Sequence, residues 1–382
     1  MAWHRSDGGD PAELVSDFLA DNGLRVRNIG RTAPQVHPTG PGSVCGAALY
    51  VSADAACVIA GGVVAAPTPV PSIPDVYAVV HDHVAPDEFP VSPAPTPPAG
   101  IRAASVGEQS WGEWSLGAWT PSWSPARHAA AVQAVREAIG RGDVYQVNVV
   151  GHTSAPYEGD PTAALGRVAA LPGARYGGVL AGAGWALATA SPETLVEVRD
   201  GRVLTRPIKG TRPATAEGRR ELLASAKERA EHVMIVDLSR NDLSRLPGVG
   251  PVEVEGLFAV RRWSGLWQAE SVVSAPIVGD LDLATLLRAL LPGGSVTGAP
   301  KIAALARIAE LEPVGRGVSM AAVGWVGPDH LDLGLTIRTV AVDGSRVHGW
   351  AGGGIVWDSD PRAEVAEAAA KLAPIKAALA GH

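Results

Sequence analysis

An α+β fold with largely antiparallel sheets is predicted by three features of this 382-residue sequence. Helical and strand periodicities interleave along the chain, short strand-turn-strand units are frequent, and no fixed-period repeat suggests a solenoid or propeller. A doubly wound parallel sheet would need regular strand-helix-strand alternation, which the short units break. A hydrophobic content of 46% is ample for a buried core.

The first third consists of short apolar runs punctuated by Gly, Pro and Asp, and nothing in it declares a chemistry. Its longest uncharged run, from about Ala55 to Ile73, is interrupted by Pro67, Pro69 and Pro71 and reads as strands and turns rather than a membrane span. Residues 91–100, VSPAPTPPAG, predict an exposed connection, since clustered prolines fit neither a helix nor a central strand. Two parts follow from this: a short amino-terminal region over 1–123 and a motif-dense domain over 124–380.

The second part opens with SPARHAAAVQAVREAIGRGD, which has helical apolar spacing between a Ser-Pro start and a Gly-rich stop. VYQVNVV and VLAGAGWALATA read as strands, and SAKERAEHVMIVDLSRNDLSR as a long helix. LDLGLTIRTVAV and SRVHGWAGGGIV read as two strands joined by Asp343-Gly344, before a terminal alanine-rich helix.

Composition excludes some functions. A net charge of −7 leaves no basic surplus for a phosphate backbone, so nucleic acid is not an expected partner. The amino terminus lacks a charged segment followed by an apolar one, and the two cysteines, Cys45 and Cys57, make no disulfide framework; cytosolic residence, away from membranes, is expected. Neither cysteine sits in a nucleophile turn, and no Cys/His cluster has zinc spacing.

Several local patterns invite chemistry. Glu228 and Glu231 lie three apart on the long helix, and Glu364 and Glu367 repeat this spacing in the last one, so each pair shares a face. Four converging carboxylates would suit Mg²⁺, although from spacing alone solvated helix faces are the better reading. PGGSVTGAPK, 292–301, departs from a P-loop after Gly298 and reads instead as a carboxylate-binding loop with Lys301 opening a helix. The triple glycine 352–354, taken alone, reads as a bulge beside a turn. In PIKGTRP, Lys209 stands between strand-like VLT and a loop, where partial burial would depress its pKa and free a nucleophilic amine. Arg338, in a predicted apolar strand, needs a carboxylate, its own or a ligand's.

Together these motifs resemble the chorismate-utilising enzymes: the first components of anthranilate synthase and aminodeoxychorismate synthase, and the isochorismate and salicylate synthases. The resemblance covers roughly 124–380 and rests on GDVYQVN, SPE, PIKGTRP, AEHVMIVDLSRNDLSR, PGGSVTGAPK, LEPVGRG, IRT and GGGIVWDSDPRAE in the family's order. It implies two large, mostly antiparallel sheets packed as a sandwich, helices outside, with chorismate buried between them. It implies Mg²⁺ held directly by Glu231 and Glu367, with Glu228 and Glu364 holding the metal's waters. Arg338 and the Gly354 N–H would hold the enolpyruvyl carboxylate. Further substrate contacts are implied for Gln146, Thr211, Gln268, Ser295, Thr297, Lys301 and Gly353. Glu193 matches the acid that assists departure of the ring hydroxyl.

Two positions separate the branches. Isochorismate and salicylate synthases have a water-activating lysine where this chain has Gln146. Anthranilate synthases usually have alanine where it has Lys209, which looks like the nucleophile of aminodeoxychorismate synthase. The expected function is therefore amination of chorismate to 4-amino-4-deoxychorismate, with ammonia from a separate glutamine amidotransferase subunit. Anthranilate synthase component I and a non-catalytic chorismate-binding subunit are the alternatives. The chain departs from the family at Gln268, where histidine is common, and at Ser319, where tyrosine is.

Overall fold

The structure, a computed structural model, describes residues 1–24, 40, 42–83 and 114–381; the proline-rich stretch 91–100 lies outside them. The amino-terminal part forms β1 (Ala2–Trp3), α1 (Pro11–Asp21), β2 (Val44–Val51), α2 (Ala53–Ile59) and β3 (Val76–Asp82). Here the sequence reading needs correcting: the run from Ala55 begins in a helix, because Ser52 caps it by accepting from Ala55 N–H. Among the described residues no helix is long and apolar enough to cross a membrane.

β4 (Ser115–Leu116) and β5 (Thr120–Pro121) lead into α3 (Pro125–Gly140), which starts at a Ser124 cap with Pro at its first position. There follow β6 (Gln146–Glu158), α4 (Thr162–Ala169), β7 (Tyr176–Gly182), β8 (Trp185–Ser191), β9 (Thr194–Arg199), β10 (Arg202–Arg206) and β11 (Ile208–Pro213). Next come α5 (Ala216–Ala224), the long α6 (Ala226–Ser244), β12 (Glu253–Trp263), β13 (Leu266–Pro276) and α7 (Leu283–Leu290). A 3-10 turn at Gly294–Val296 and β14 (Gly298–Ala299) precede α8 (Lys301–Leu311). The chain closes with β15 (Ala322–Val326), β16 (Leu331–Leu335), β17 (Thr339–Asp343), β18 (Arg346–Ile355) and α9 (Pro361–Ala380).

The strands make two sheets. A ten-stranded sheet runs β1-β3-β2-β15-β16-β9-β10-β13-β11, with β12 also on β13; an eight-stranded sheet runs β14-β6-β18-β17-β8-β7, with β4 and β5 on β6. The amino-terminal strands therefore enter the large sheet through β2 on β15, Val51 opposite Ala322. The sheets face one another across one hydrophobic cluster: Val198, Val203 and Leu333 come from the larger, Leu187, Ala341 and Trp350 from the smaller. On β8 the alternate residues Ala186, Ala188 and Ala190 point the other way, into a second cluster under α4 and α9. This is the period-2 alternation of a sheet covered on both faces.

Two predicted elements change in a way that matters for function. LDLGLTIRTVAV is not one strand: β16 belongs to the ten-stranded sheet and β17 to the eight-stranded one. Arg338 lies in the crossover between them, with φ +54°. Lys209, expected between a strand and a loop, lies within the strand β11, IKGTRP. The Asp343-Gly344 turn does join β17 to β18, with Gly344 in the left-handed region.

Candidate active site

Two crossovers between the sheets stand side by side. One runs from β8 to β9 and carries Glu193; the other runs from β16 to β17 and carries Arg338. Backbone bonds tie them together, Leu335 N to Glu193 O at 3.0 Å and Ala190 N to Arg338 O at 3.1 Å. A chain leaving one sheet for the other must break its ladder, and the two breaks expose one side chain each to the space between the sheets. SPE and IRT are thus the sequence of a paired crossing point.

Glu193 is buried, and burial raises its carboxyl to about 7 against the pull of Ser295 and Lys209. Its Oε1 accepts from Ser295 Oγ at 2.6 Å and from Ile208 N at 3.4 Å, which leaves Oε2 for a proton. Arg338 is also buried, and burial lowers its pKa to about 10. Its guanidinium lies 4.7 Å over the Trp263 ring. Its Nε has no hydrogen-bond partner, and among the described residues no carboxylate is within ion-pair distance. A buried, unpaired guanidinium costs several kcal/mol, roughly, unless an anion joins it. Glu367 and Glu193 act on Arg338 only as charges beyond ion-pair distance, which favours a ligand's carboxylate over an internal partner.

Lys209 enters the same cavity from β11. The pairing of β11 with β13 slips between Lys209 and Thr211, and Gly210 fills the extra position at φ +78°. Such a bulge re-aims its neighbours, and both Lys209 and Thr211 line the cavity. Burial lowers the Lys209 ammonium pKa, with Glu231 opposing and Lys371 reinforcing the shift. The opposite wall is β18. Its glycines form no bulge: the register with β6 is continuous from Arg346–Pro156 to Ile355–Val147, which overturns the isolated reading of the triple glycine. They are there for close approach. A Cβ on Gly354 would collide with Lys209 Nζ and reach the Gln146 side chain at 3.0 Å, and one on Gly353 would lie 3.0 Å from Glu364 Oε2. Gln146 is wholly buried behind Gly354 with neither side-chain Oε1 nor Nε2 partnered.

The four glutamates line one side of this cavity, Glu228 and Glu231 from α6, Glu364 and Glu367 from α9. The solvated-face reading is therefore overturned for both pairs. Lys227 stands between the helices, 3.6 Å from Glu231 and 3.8 Å from Glu364; Arg212 pairs with Glu228 at 2.9 Å and Lys371 with Glu367 at 2.7 Å. Even so, burial raises Glu231 to about 7, and burial followed by Glu367's charge raises Glu364. For Glu367 burial is outweighed by Lys371, and its pKa is lowered. This oxygen-only donor set, short of positive charge at two members, fits a hard divalent cation. Among the described residues no three acidic, His or Cys side chains enclose a metal position, so the carboxylates form an open wall rather than a cage. Magnesium keeps waters and needs few protein ligands, which such a wall suits.

Not every expected residue reaches the cavity. Gln268, Ser295 and Gly353 line it; Gln146, Thr297 and Lys301 do not. Thr297 Oγ1 donates to Gly293 O at 2.8 Å and shapes the loop from within. Lys301 begins α8, but its Nζ turns to Asp242 at 3.4 Å, in a different groove. Ser319 is buried against Thr336 O, and the neighbouring Met320 takes the cavity wall, with φ +64°. Sequence reasoning missed Lys371, whose Nζ donates to Gly352 O at 2.8 Å, and Asn148, which lines the cavity with Oδ1 unpartnered. The i, i+4 spacing of Glu367 and Lys371 was the available signal. The LEPVGRG motif is a staple: Arg316 bonds both oxygens of Glu312 at 2.8 and 2.6 Å, and also Val296 O and Asn148 O, while Glu312 accepts from Val150 N. It locks the 292–301 loop to β6.

The cavity thus combines a depressed-pKa amine, a neutral-range carboxylic acid, an unpaired guanidinium and a carboxylate wall. These are the parts for binding a polyanionic organic acid and displacing a leaving group from it. The sequence profile described as chorismate binding enzyme matches residues 102–377. Anthranilate synthase component 1 of Streptomyces coelicolor is 41% identical over 256 residues, 65% of this chain and 50% of that protein. Aminodeoxychorismate synthase component 1 of Salmonella typhimurium is 38% identical over 240 residues, 61% of this chain and 53% of that one. The chain spans about half the length of these curated relatives. Anthranilate synthase component I from Streptococcus pneumoniae superposes with a TM-score of 0.72 at 26% identity, covering 96% of this chain and 86% of that one. MenF, the menaquinone-specific isochorismate synthase of Escherichia coli, shares the fold with a TM-score of 0.64 at 20% identity, over 72% of this chain and 66% of its own. With a match over most of its length and the same architecture, the chain belongs to the chorismate binding enzyme family.

Proposed function

We propose that this chain aminates chorismate at C4, giving 4-amino-4-deoxychorismate, with Lys209 as a covalent nucleophile. The observation that carries this reading is the lysine itself: a half-buried amine of lowered pKa facing the cavity opposite Gly354, within the electrostatic reach of Glu193. A neutral amine attacks, an ammonium does not, and burial shifts the balance toward the neutral form while Glu231 opposes it.

In the first displacement the Lys209 nitrogen bonds to C2, both ring double bonds shift (C1=C2 to C1=C6 and C5=C6 to C4=C5), and the C4 hydroxyl leaves. Glu193 gives that oxygen its proton, so water departs instead of hydroxide. In the second, ammonia bonds to C4, both double bonds return to C5=C6 and C1=C2, and the C2–nitrogen bond of the protonated adduct breaks to release neutral Lys209. Arg338 orients the substrate by pairing with its enolpyruvyl carboxylate. Mg²⁺ would be held by Glu231 and Glu367, with Glu228 and Glu364 on its waters, and would supply positive charge facing the ring carboxylate. Ammonia is assigned to a separate glutamine amidotransferase subunit. Burial raises both thiols here, Cys57 to about 11, so neither is an activated nucleophile for glutamine. We place the protein in the cytosol with its substrate.

Intact-protein mass spectrometry after mixing with chorismate and Mg²⁺ but no ammonia is expected to show an adduct on Lys209. Lys209→Ala should lose the adduct and slow product formation by at least the ~10²–10⁴-fold typical of losing a positioned catalytic group. An undiminished rate in Lys209→Ala would overturn the covalent role. A second reading, anthranilate formation, is favoured by the Streptomyces coelicolor relative, and the product separates the two.

A further inference from the structure

Glu193 has a second side. A separate rear cavity of about 30 Å³, lined by none of the four glutamates, shares Glu193 and Ser295 with the substrate cavity. Thr205, Ser239 and Asp242 are among its lining residues, the Thr205 hydroxyl donating to Thr194 O at 3.2 Å. A water needs roughly 10–15 Å³ of such space and two to four polar partners, so the cavity accommodates about two. Its far wall is Asp242, which is also a wall of a surface groove of about 540 Å³ containing Lys301 and Arg245. Asp242 thus borders both the solvent groove and the small cavity, and Glu193 borders both the small cavity and the substrate cavity.

The amination reading makes this arrangement useful. Each turnover leaves Glu193 as a carboxylate, and substrate or product then fills the front. We propose that the rear cavity is a water-filled proton entry, with Asp242 as the positioning residue that links it to the solvent groove. A cavity water donates a proton to Glu193 and recovers one from solvent past Asp242, so no net charge is left in the passage. The charged groups facing Glu193 are Lys209 and Arg338, and those facing Asp242 are Lys301 and Arg245. None of them lines the rear cavity.

This inference rests on the assignment of Glu193 as acid, so its test does not use turnover. The front is closed with chorismate lacking its C4 hydroxyl, which cannot react, and the protein is mixed rapidly into D₂O. The carboxylic C=O band of Glu193, identified by its loss in Glu193→Gln, is followed by difference infrared spectroscopy. Fast exchange is expected in the wild type. Ser239→Leu, which fills the cavity, and Thr205→Val, which removes one polar wall at constant shape, should each slow it at least tenfold. Equal exchange in all three, or a crystal structure that resolves waters elsewhere and finds the rear cavity dry, would overturn the proposal. Failure of the amination reading would be seen separately, as absence of aminated product with the passage still exchanging.

Discussion

Glu193 and Arg338 show how burial creates reactivity at a single residue. A carboxyl in water is ionised at neutral pH and donates nothing; the same group between the sheets sits at about 7 and is half protonated there. If it is the acid, kcat/KM for chorismate should be high below that value and fall as pH rises through it, because the deprotonated form cannot assist the hydroxyl. Glu193→Gln should lower the rate by ~10²–10⁴-fold and flatten that limb of the profile. A retained limb would assign it to another group. Arg338 argues in the opposite direction, from an interaction it lacks. Lysine at this site would keep the charge but lose both the planar fork and the stacking on Trp263. Arg338→Lys should therefore raise KM for chorismate by about tenfold or more, roughly one charge-assisted hydrogen bond, while leaving the far-ultraviolet spectrum unchanged.

Among the elements, β18 offers the sharpest contrast. A Cβ on Gly352 would strike the backbone of Val149, which cannot move without breaking the ladder, whereas one on Gly354 would strike the ends of two side chains. Gly352→Ala is expected to lose about 1–3 kcal/mol of stability through overpacking. Gly354→Ala should keep a near-wild-type Tm but lose most activity, because it displaces Lys209. Thermal unfolding and turnover on the two variants check this, and equal loss of Tm in both would contradict it. The Arg316–Glu312 staple makes a third case. Glu312→Gln leaves Arg316 buried without a counter-charge, and breaking such a pair costs about 3–5 kcal/mol, measurable by denaturant unfolding.

Elements also show what was legible in advance. The helices announced themselves through caps and spacing: Ser124-Pro125 begins α3, and Ser225 begins α6. The glutamate pairs fell on one face as a helix requires. Arg338 was misread because LDLGLTIRTVAV has an uninterrupted strand composition, and only tertiary pairing decides that its two halves join different sheets. Lys301 followed a motif into the wrong groove: its position at the start of α8 was readable, but the direction of a four-carbon side chain depends on Asp242, far away in sequence.

At the scale of the whole molecule, the active site is a consequence of two sheets exchanging strands. The crossovers that join them place an acid and a guanidinium side by side on one cavity, and α6 and α9 line another side with carboxylates. The proline-rich segment suggested a boundary between two parts, yet β2 continues the ten-stranded sheet beyond β15. Composition could not reveal that pairing, since edge partners are chosen by register and not by residue type. The absence of an activated thiol among the described residues predicts that purified chain will use ammonium salts but not glutamine as nitrogen donor; glutamine-driven turnover would contradict the assignment of a separate amidotransferase.

The central claim is tested most directly by mass spectrometry of the products formed from chorismate, Mg²⁺ and ammonium, with and without an aminodeoxychorismate lyase. The account predicts a product that the lyase converts to 4-aminobenzoate. Anthranilate with released pyruvate, or chorismate returned unchanged, would contradict it.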